Sequence, residues 1–138
     1  MSKLAVVYWS GTGNTESMAE IIANQAKEKG IDVDTYTSDE FNSSKLDQYQ
    51  AFAFGCPSMG VEVLEEDSFQ PMWDGIKDSL SNKNTILFGS YGWGDGEWMQ
   101  DWKNDAQTAN VIDTYICNDA PQEEDSNNLK ELVNKLFV

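Results

Sequence analysis

The chain has 138 residues, with nine lysines, no arginine, no histidine and 24 acidic side chains, for a net charge of −15. That balance excludes a binder of nucleic acid or anionic lipid, because a basic patch supplies such affinity. The lack of histidine also removes the usual general base and any histidine-held metal centre.

The length suits one domain over residues 1–138 with a single core. No apolar run approaches the ~20 residues of a membrane span. Met1-Ser2-Lys3 leads straight into an apolar stretch with no secretory signal, so the expectation is a cytoplasmic protein. So acidic a surface attracts basic protein partners at long range.

The first apolar run, Leu4 to Trp9, is short and β-branched enough for a buried strand. Ser10-Gly11-Thr12-Gly13-Asn14-Thr15 follows as a loop. A helix then runs from Glu16 to Ala26, with Met18, Ile21, Ile22 and Ala26 at helical spacing, and ends at Lys27-Glu28-Lys29-Gly30. Residues 31–36 alternate in polarity like an edge strand, and 42–49 predicts a short helix anchored by Phe41, Leu46 and Tyr49. Residues 51–56 are apolar on both faces, as in a central parallel strand. After the loop 57–67, a helix is expected over 68–79, a strand over 85–90, a loop over 91–96 and a helix over 97–109. The last strand spans 111–117, and a helix from Asp125 to Leu136 closes the chain.

Five strands alternating with five helices imply a parallel sheet covered on both faces. Ligands in such sheets bind beyond the carboxyl ends of the strands. The loops 10–15, 57–67 and 90–96 lie at that end, and they are the richest in glycine, hydroxyls and exposed aromatics. Cys56 and Cys117 fall on strands with one strand between them, ~9–10 Å apart. That is too far for a disulfide, so both read as reduced thiols.

The first loop has the makings of a phosphate cradle: backbone N–H groups, hydroxyls and the positive end of a helix dipole. It lacks the Gly-Lys-Ser/Thr ending of a nucleotide P-loop and the three spaced glycines of the dinucleotide fingerprint. An ordinary turn rich in capping residues is the plain alternative. In the other two loops Met59 and Trp93 are large apolar side chains beside Gly60, Gly92 and Gly94. A flat aromatic ligand could lie between them.

Tyr8-Trp9-Ser10-Gly11-Thr12-Gly13-Asn14-Thr15 resembles the FMN phosphate loop of flavodoxins. Gly55 to Gly60 and Phe88 to Gly96 resemble the two flavin loops of that family, in the same order along the chain. Strand 111–117 has no room for the insertion of the long-chain branch, so the resemblance is to short-chain bacterial flavodoxins. It implies a doubly wound five-stranded parallel sheet, order 2-1-3-4-5, with helices on both faces. It also implies non-covalent FMN and a low-potential one-electron carrier, not an enzyme, shuttling between semiquinone and hydroquinone.

By the same resemblance Ser10, Thr12, Asn14 and Thr15, with the amides of 11–15, would hold the phosphate. Met59 would cover the inner ring face and Trp93 the outer. Glu62 would accept from the ring N3–H, and the backbone around Ser90, Tyr91 and Gly92 would meet the pyrimidine edge. The Gly60 carbonyl would turn toward N5 on one-electron reduction. A β-branched Val61 would cost ~1–2 kcal/mol if that turn required positive φ there. Ser58 and Gly96 complete the candidate contacts. Glu62, Glu65, Glu66, Asp67, Asp95 and Glu97 would ring the exposed flavin edge as a docking face for basic reductases and oxidoreductases, met transiently by a monomer. A flavin-dependent NAD(P)H reductase on the same fold is the alternative. A phosphoacceptor domain is disfavoured, because Cys56 and Trp9-Ser10 stand where its aspartates belong.

Overall fold

The computed structural model describes residues 3–137. Strands β1 (Lys3–Tyr8), β2 (Asp32–Thr37), β3 (Ala51–Gly55), β4 (Asn84–Tyr91) and β5 (Asn110–Asn118) form one sheet in the order β2-β1-β3-β4-β5. Every neighbouring pair is parallel. The helices are α1 (Asn14–Glu28), α2 (Phe69–Ile76), α3 (Glu97–Asp105) and α4 (Glu123–Leu136).

Four α-helices stand where five were expected. Residues Ser43–Gln48 form a 3-10 segment instead, entered by an Asn42 side chain that accepts from the Ser44 amide at 3.0 Å. Only Leu46 of that segment is buried, too little apolar surface to hold regular helix turns. Helix α2 tightens into a 3-10 turn at Lys77–Ser79. Helix α3 stops at Asp105 rather than 109. The following residues are drawn to the loop before β4, where Asn82 N donates to Thr108 O and Asn110 N to Lys83 O.

Side-chain alternation in the central strands divides the core into two layers. Leu4, Val6, Ala51, Ala53, Ile86 and Phe88 face α1 and α4. Ala5, Val7, Phe52, Phe54 and Leu87 face α2, α3 and the 3-10 segments. Strand β3 therefore offers alanines to the long helices and phenylalanines to the short ones. Alanine lets α1 lie close to the sheet. On the other side α2 and α3 are only 8 and 9 residues long, and aromatic rings fill the wider layer. Phe54, Trp73, Trp102 and Phe69 meet edge-to-face with centroids 5.3–5.8 Å apart. Cys56 and Cys117 are both free and buried, as the strand order requires.

At the amino edge of the sheet, Tyr49 donates to Asp34 Oδ2 at 2.7 Å, and Lys3 Nζ lies 3.3 Å from the same oxygen. The Tyr49 hydroxyl first, and Lys3 after it, hold the Asp34 carboxyl below the ordinary carboxylate range. A pKa lowered by folding stabilises the protein above the unfolded value of about 3.9, and that stabilisation is lost as pH falls through the folded value. Asp34→Asn should therefore lose stability at pH 7 and lose progressively less below about pH 4. Urea midpoints measured from pH 7 to pH 3 check this; a loss independent of pH would contradict it.

Candidate functional site

The chain leaves β1 toward β2 and returns to β3 on the opposite side. The carboxyl ends of β1 and β3 thus bound the crevice expected at a topological switch. A cleft of about 250 Å³ opens there. Ser10, Gly11, Thr12, Asn14 and Thr15 form one wall, Ser58 and Met59 a second, and Ser90, Tyr91 and Gly92 a third. Ten of the residues chosen from the sequence are brought together, from all three loops.

The β1–α1 loop is built by its own hydroxyls. Ser10 Oγ accepts from the amides of Gly13 at 3.1 Å and Glu16 at 3.3 Å. Gly13 caps α1 with φ +98°, a left-handed conformation that glycine adopts without strain. Thr15, 1% exposed, places its hydroxyl 3.2 Å from Ser90 Oγ and so ties the loop to the end of β4. The amides of Gly11, Thr12, Asn14 and Thr15 donate to no group of the chain among the described residues.

The other three helices begin differently, each with a carboxylate on its leading amides. Glu65, only 7% exposed, accepts from Asp67, Ser68 and Phe69 at 2.8–2.9 Å and caps α2. Glu62 Oε1 accepts from Gly96 at 3.1 Å and Glu97 at 2.9 Å and caps α3. Asp125 accepts from the Gln122 amide at 2.8 Å in the capping box of α4. Only α1 has a neutral hydroxyl rather than a carboxylate as the acceptor at its start, among the described residues. Glu16, in its first turn, instead accepts from the Tyr8 hydroxyl at 2.9 Å. An open helix N-terminus fits a phosphate, whose oxygens accept from amides that have no other partner.

Residues 59–63 close a small hairpin, with Met59 and Val63 exchanging backbone hydrogen bonds at 2.8 and 2.9 Å. Gly60 and Glu62 carry the positive φ values, +50° and +56°, whereas Val61 does not. In this conformation Val61 carries no such cost, and its side chain is 82% exposed at the tip. The Glu62 carboxylate lies so close to Gly94 that an added Cβ would meet it at 2.7 Å. Hairpin and 90s loop are locked together through this carboxylate.

Several chosen residues stand away from the cleft wall. Gly13 lies behind the loop as the α1 cap, and Gly60 and Val61 project at the hairpin tip. Glu62 and Gly96 meet at the start of α3, and Trp93 is 62% exposed on the rim. Glu65 corrects the docking ring inferred from sequence, since its carboxylate is buried and committed to α2. Trp9, Pro57 and Asp119 line the cleft and were not chosen. Asp119, the one charged residue on the wall, comes from the loop after β5 and holds φ +55°. Its signal was positional: that loop too lies at the carboxyl edge.

Cys56 is a buried free thiol. Burial pushes its thiol far above the ordinary value, while the Glu65 amide donates to the sulfur at 3.4 Å. Burial likewise pushes Cys117 up to about 12.

A doubly wound sheet with a hydroxyl-rich helix start above a narrow cleft has the form of a mononucleotide-binding protein. Comparison with known proteins agrees. The family model described as Flavodoxin matches residues 6–111. A flavodoxin of Clostridium beijerinckii is 49% identical over 100 residues, 72% of either chain. One of Megasphaera elsdenii is 42% identical over 118 residues, covering 84% of this chain and 86% of that one. The solution structure of two-electron reduced Megasphaera elsdenii flavodoxin superposes with a TM-score of 0.88 at 39% identity, over 96% of this chain and 98% of that chain. The chain belongs to the flavodoxin family. Its cofactor is FMN, and it is an electron-transfer protein that hands electrons to redox partners rather than an enzyme. A reductase acting on NAD(P)H is not favoured. No helix among the described residues is long and apolar enough to cross a membrane.

Glu62 should show its structural role without cofactor. In the FMN-free protein, Glu62→Ala should lower stability by about 1–2 kcal/mol through two lost charge-assisted bonds. Glu62→Gln, which keeps an acceptor oxygen, should recover more than half of that in urea denaturation. Equal losses would mean that the clamp contributes through charge alone.

Proposed function

We propose that the open N-terminus of α1 receives the FMN phosphate. The open amides of Gly11, Thr12, Asn14 and Thr15 and the hydroxyls of Ser10, Thr12 and Thr15 would supply the contacts, with the Gly13 amide held by Ser10 Oγ and shaping the loop. The observation that carries this reading is the contrast among helix starts: three are capped by carboxylates and one is not. Met59 and Trp93 take the two ring faces, and Ser58, Ser90, Tyr91, Gly92 and Gly96 contribute backbone around the ring edge. Glu62 has a second carboxylate oxygen for the ring N3–H, because Oε1 is taken by α3. Gly60 and Val61 form the turn that can present a carbonyl to the ring. Bound FMN supplies the one-electron chemistry; these residues orient it and exclude water.

Electrostatics favours a low potential. No lysine lies within residues 9–15, 56–68, 91–96 or 118–122, the loops around the cleft. The phosphate is then neutralised only by dipoles, and Asp119 adds a negative charge. Each electron accepted without a proton raises repulsion in a poorly solvated site. The protein thus acts as a low-potential carrier, cytoplasmic and monomeric, that meets basic redox proteins transiently.

Ser10→Asp supplies α1 with the carboxylate it lacks and places it where the phosphate oxygens belong. FMN affinity should fall at least tenfold toward that of riboflavin, while riboflavin affinity changes little. Quenching of flavin fluorescence in titrations of the FMN-free protein reads both. An equal fall for the two ligands would remove the phosphate assignment. A redox titration of the holoprotein should show two well-separated one-electron couples, the second the more negative. Coincident couples would overturn the low-potential reading.

A further inference from the structure

Among the described residues, the exposed large hydrophobic side chains are Val61, Val63 and Trp93, at 82, 37 and 62%. All three stand on the same side of the cofactor cleft, on the hairpin and the 90s loop that Glu62 clamps together. The apolar surface continues into a second cleft of about 260 Å³ between Val63, Leu64 and the face of α3 that bears Trp98, Asp101 and Trp102. Asp101 and Glu62 line it and form no ion pair among the described residues. Trp102, in its wall, has a buried indole N–H with no acceptor among the described residues. The other flanks of the cofactor cleft differ. Toward β2 lie Glu16, Thr37 and Asp39 with no exposed large apolar residue; beyond β5 lies the polar loop with Asp119.

We propose that the redox partner's footprint is off-centre, covering the hairpin tip and α3 rather than the whole acidic rim. The occupant is a basic redox protein whose contact face sets a lysine or arginine beside an apolar spot. The apolar spot covers Val61, Val63 and Trp93. The cationic side chain enters the second cleft, its stem along Val63 and Leu64 and its head toward Asp101. Long cationic side chains suit such a site because their stems are apolar and their heads seek carboxylates. This asymmetry rests on the carrier reading and names where on the rim the partner sits.

The test compares two charge reversals of equal size on opposite faces of the sheet, Asp101→Lys on α3 and Glu20→Lys on α1. Reduced holoprotein is mixed with a basic cytochrome c in stopped flow, at about 20 mM and about 500 mM salt. Asp101→Lys should slow the second-order reaction at least fivefold at low salt and Glu20→Lys less than twofold, with both effects gone at high salt. Val63→Asn should slow the reaction at least twofold at either salt. Zinc-substituted cytochrome c should shift the Trp102 indole N–H resonance and leave that of Trp73 in place. Equal effects of the two reversals would mean steering by net charge alone and would overturn the footprint. An unmoved Trp102 resonance, or an inert Val63→Asn, would overturn it as well. A holoprotein that bound no FMN or reduced no cytochrome c would instead remove the carrier reading itself.

Discussion

Every helix in this protein starts at the same edge of the sheet, and every helix start leaves amides that need acceptors. The arrangement follows from right-handed crossovers between parallel strands, which point the positive ends of the helix dipoles toward the strands' carboxyl ends. Four sets of donors along one rim would be costly if left open. Glu65, Glu62 and Asp125 place a carboxylate at three of them from within the chain. The fourth, at α1, has only the Ser10 hydroxyl for two of its amides. On the proposed reading, cofactor binding would extend to α1 a capping pattern that the protein applies to its other helices.

The same requirement ties remote parts of the site together. Two of the three carboxylate caps belong to one loop, 57–67, whose hairpin carries Met59 at the cleft wall. Glu62 fixes that hairpin to α3 and thereby to the loop bearing Trp93. Glu65 anchors its other end to α2 and offers its amide to Cys56 at the end of β3. The loop lacks regular structure, yet its position is set by helix ends on either side of it. The fold beneath supplies a stiff base: Ala51 and Ala53 let α1 lie close on one face, and Phe52 and Phe54 fill the other.

The fold was legible in the sequence because periodicity reports burial directly, and the central strands are apolar on both faces. Boundaries were less so. The segment 42–49 has a helix-like composition but too few apolar anchors, and α3 ends where backbone partners from the loop before β4 take over. Ser10, Thr12 and Thr15 stood out in the sequence because their chemistry and their place between strand and helix coincide, and the structure brings all three to the cleft wall. The sequence could not distinguish Glu65 from Glu66. Both are acidic residues of one loop, and only the chain's path makes the first a buried cap and leaves the second in solvent. Asp119 escaped for a related reason, since its loop has neither glycine nor an exposed aromatic. Its approach to the cleft depends on the Asp119 amide donating to Tyr91 O at 2.9 Å, a contact between neighbouring strands' ends.

Charge along the molecule follows the helix ends as well. Lys27, Lys103 and Lys135 fall in last turns, and Glu16, Glu97, Glu123, Glu124 and Asp125 in first turns. Each placement favours its helix dipole. Because all the helices run the same way, these local preferences add instead of cancelling. Cations gather at the amino edge of the sheet and carboxylates at the rim where the cofactor sits. On the proposed reading, a molecule polarised in this way would turn its flavin edge toward a basic partner before contact is made. The same polarity opposes every electron the cofactor accepts, since the rim is already negative. Steering a basic partner and holding electrons at low potential would therefore be two results of one arrangement, in which helix ends select the charges around them.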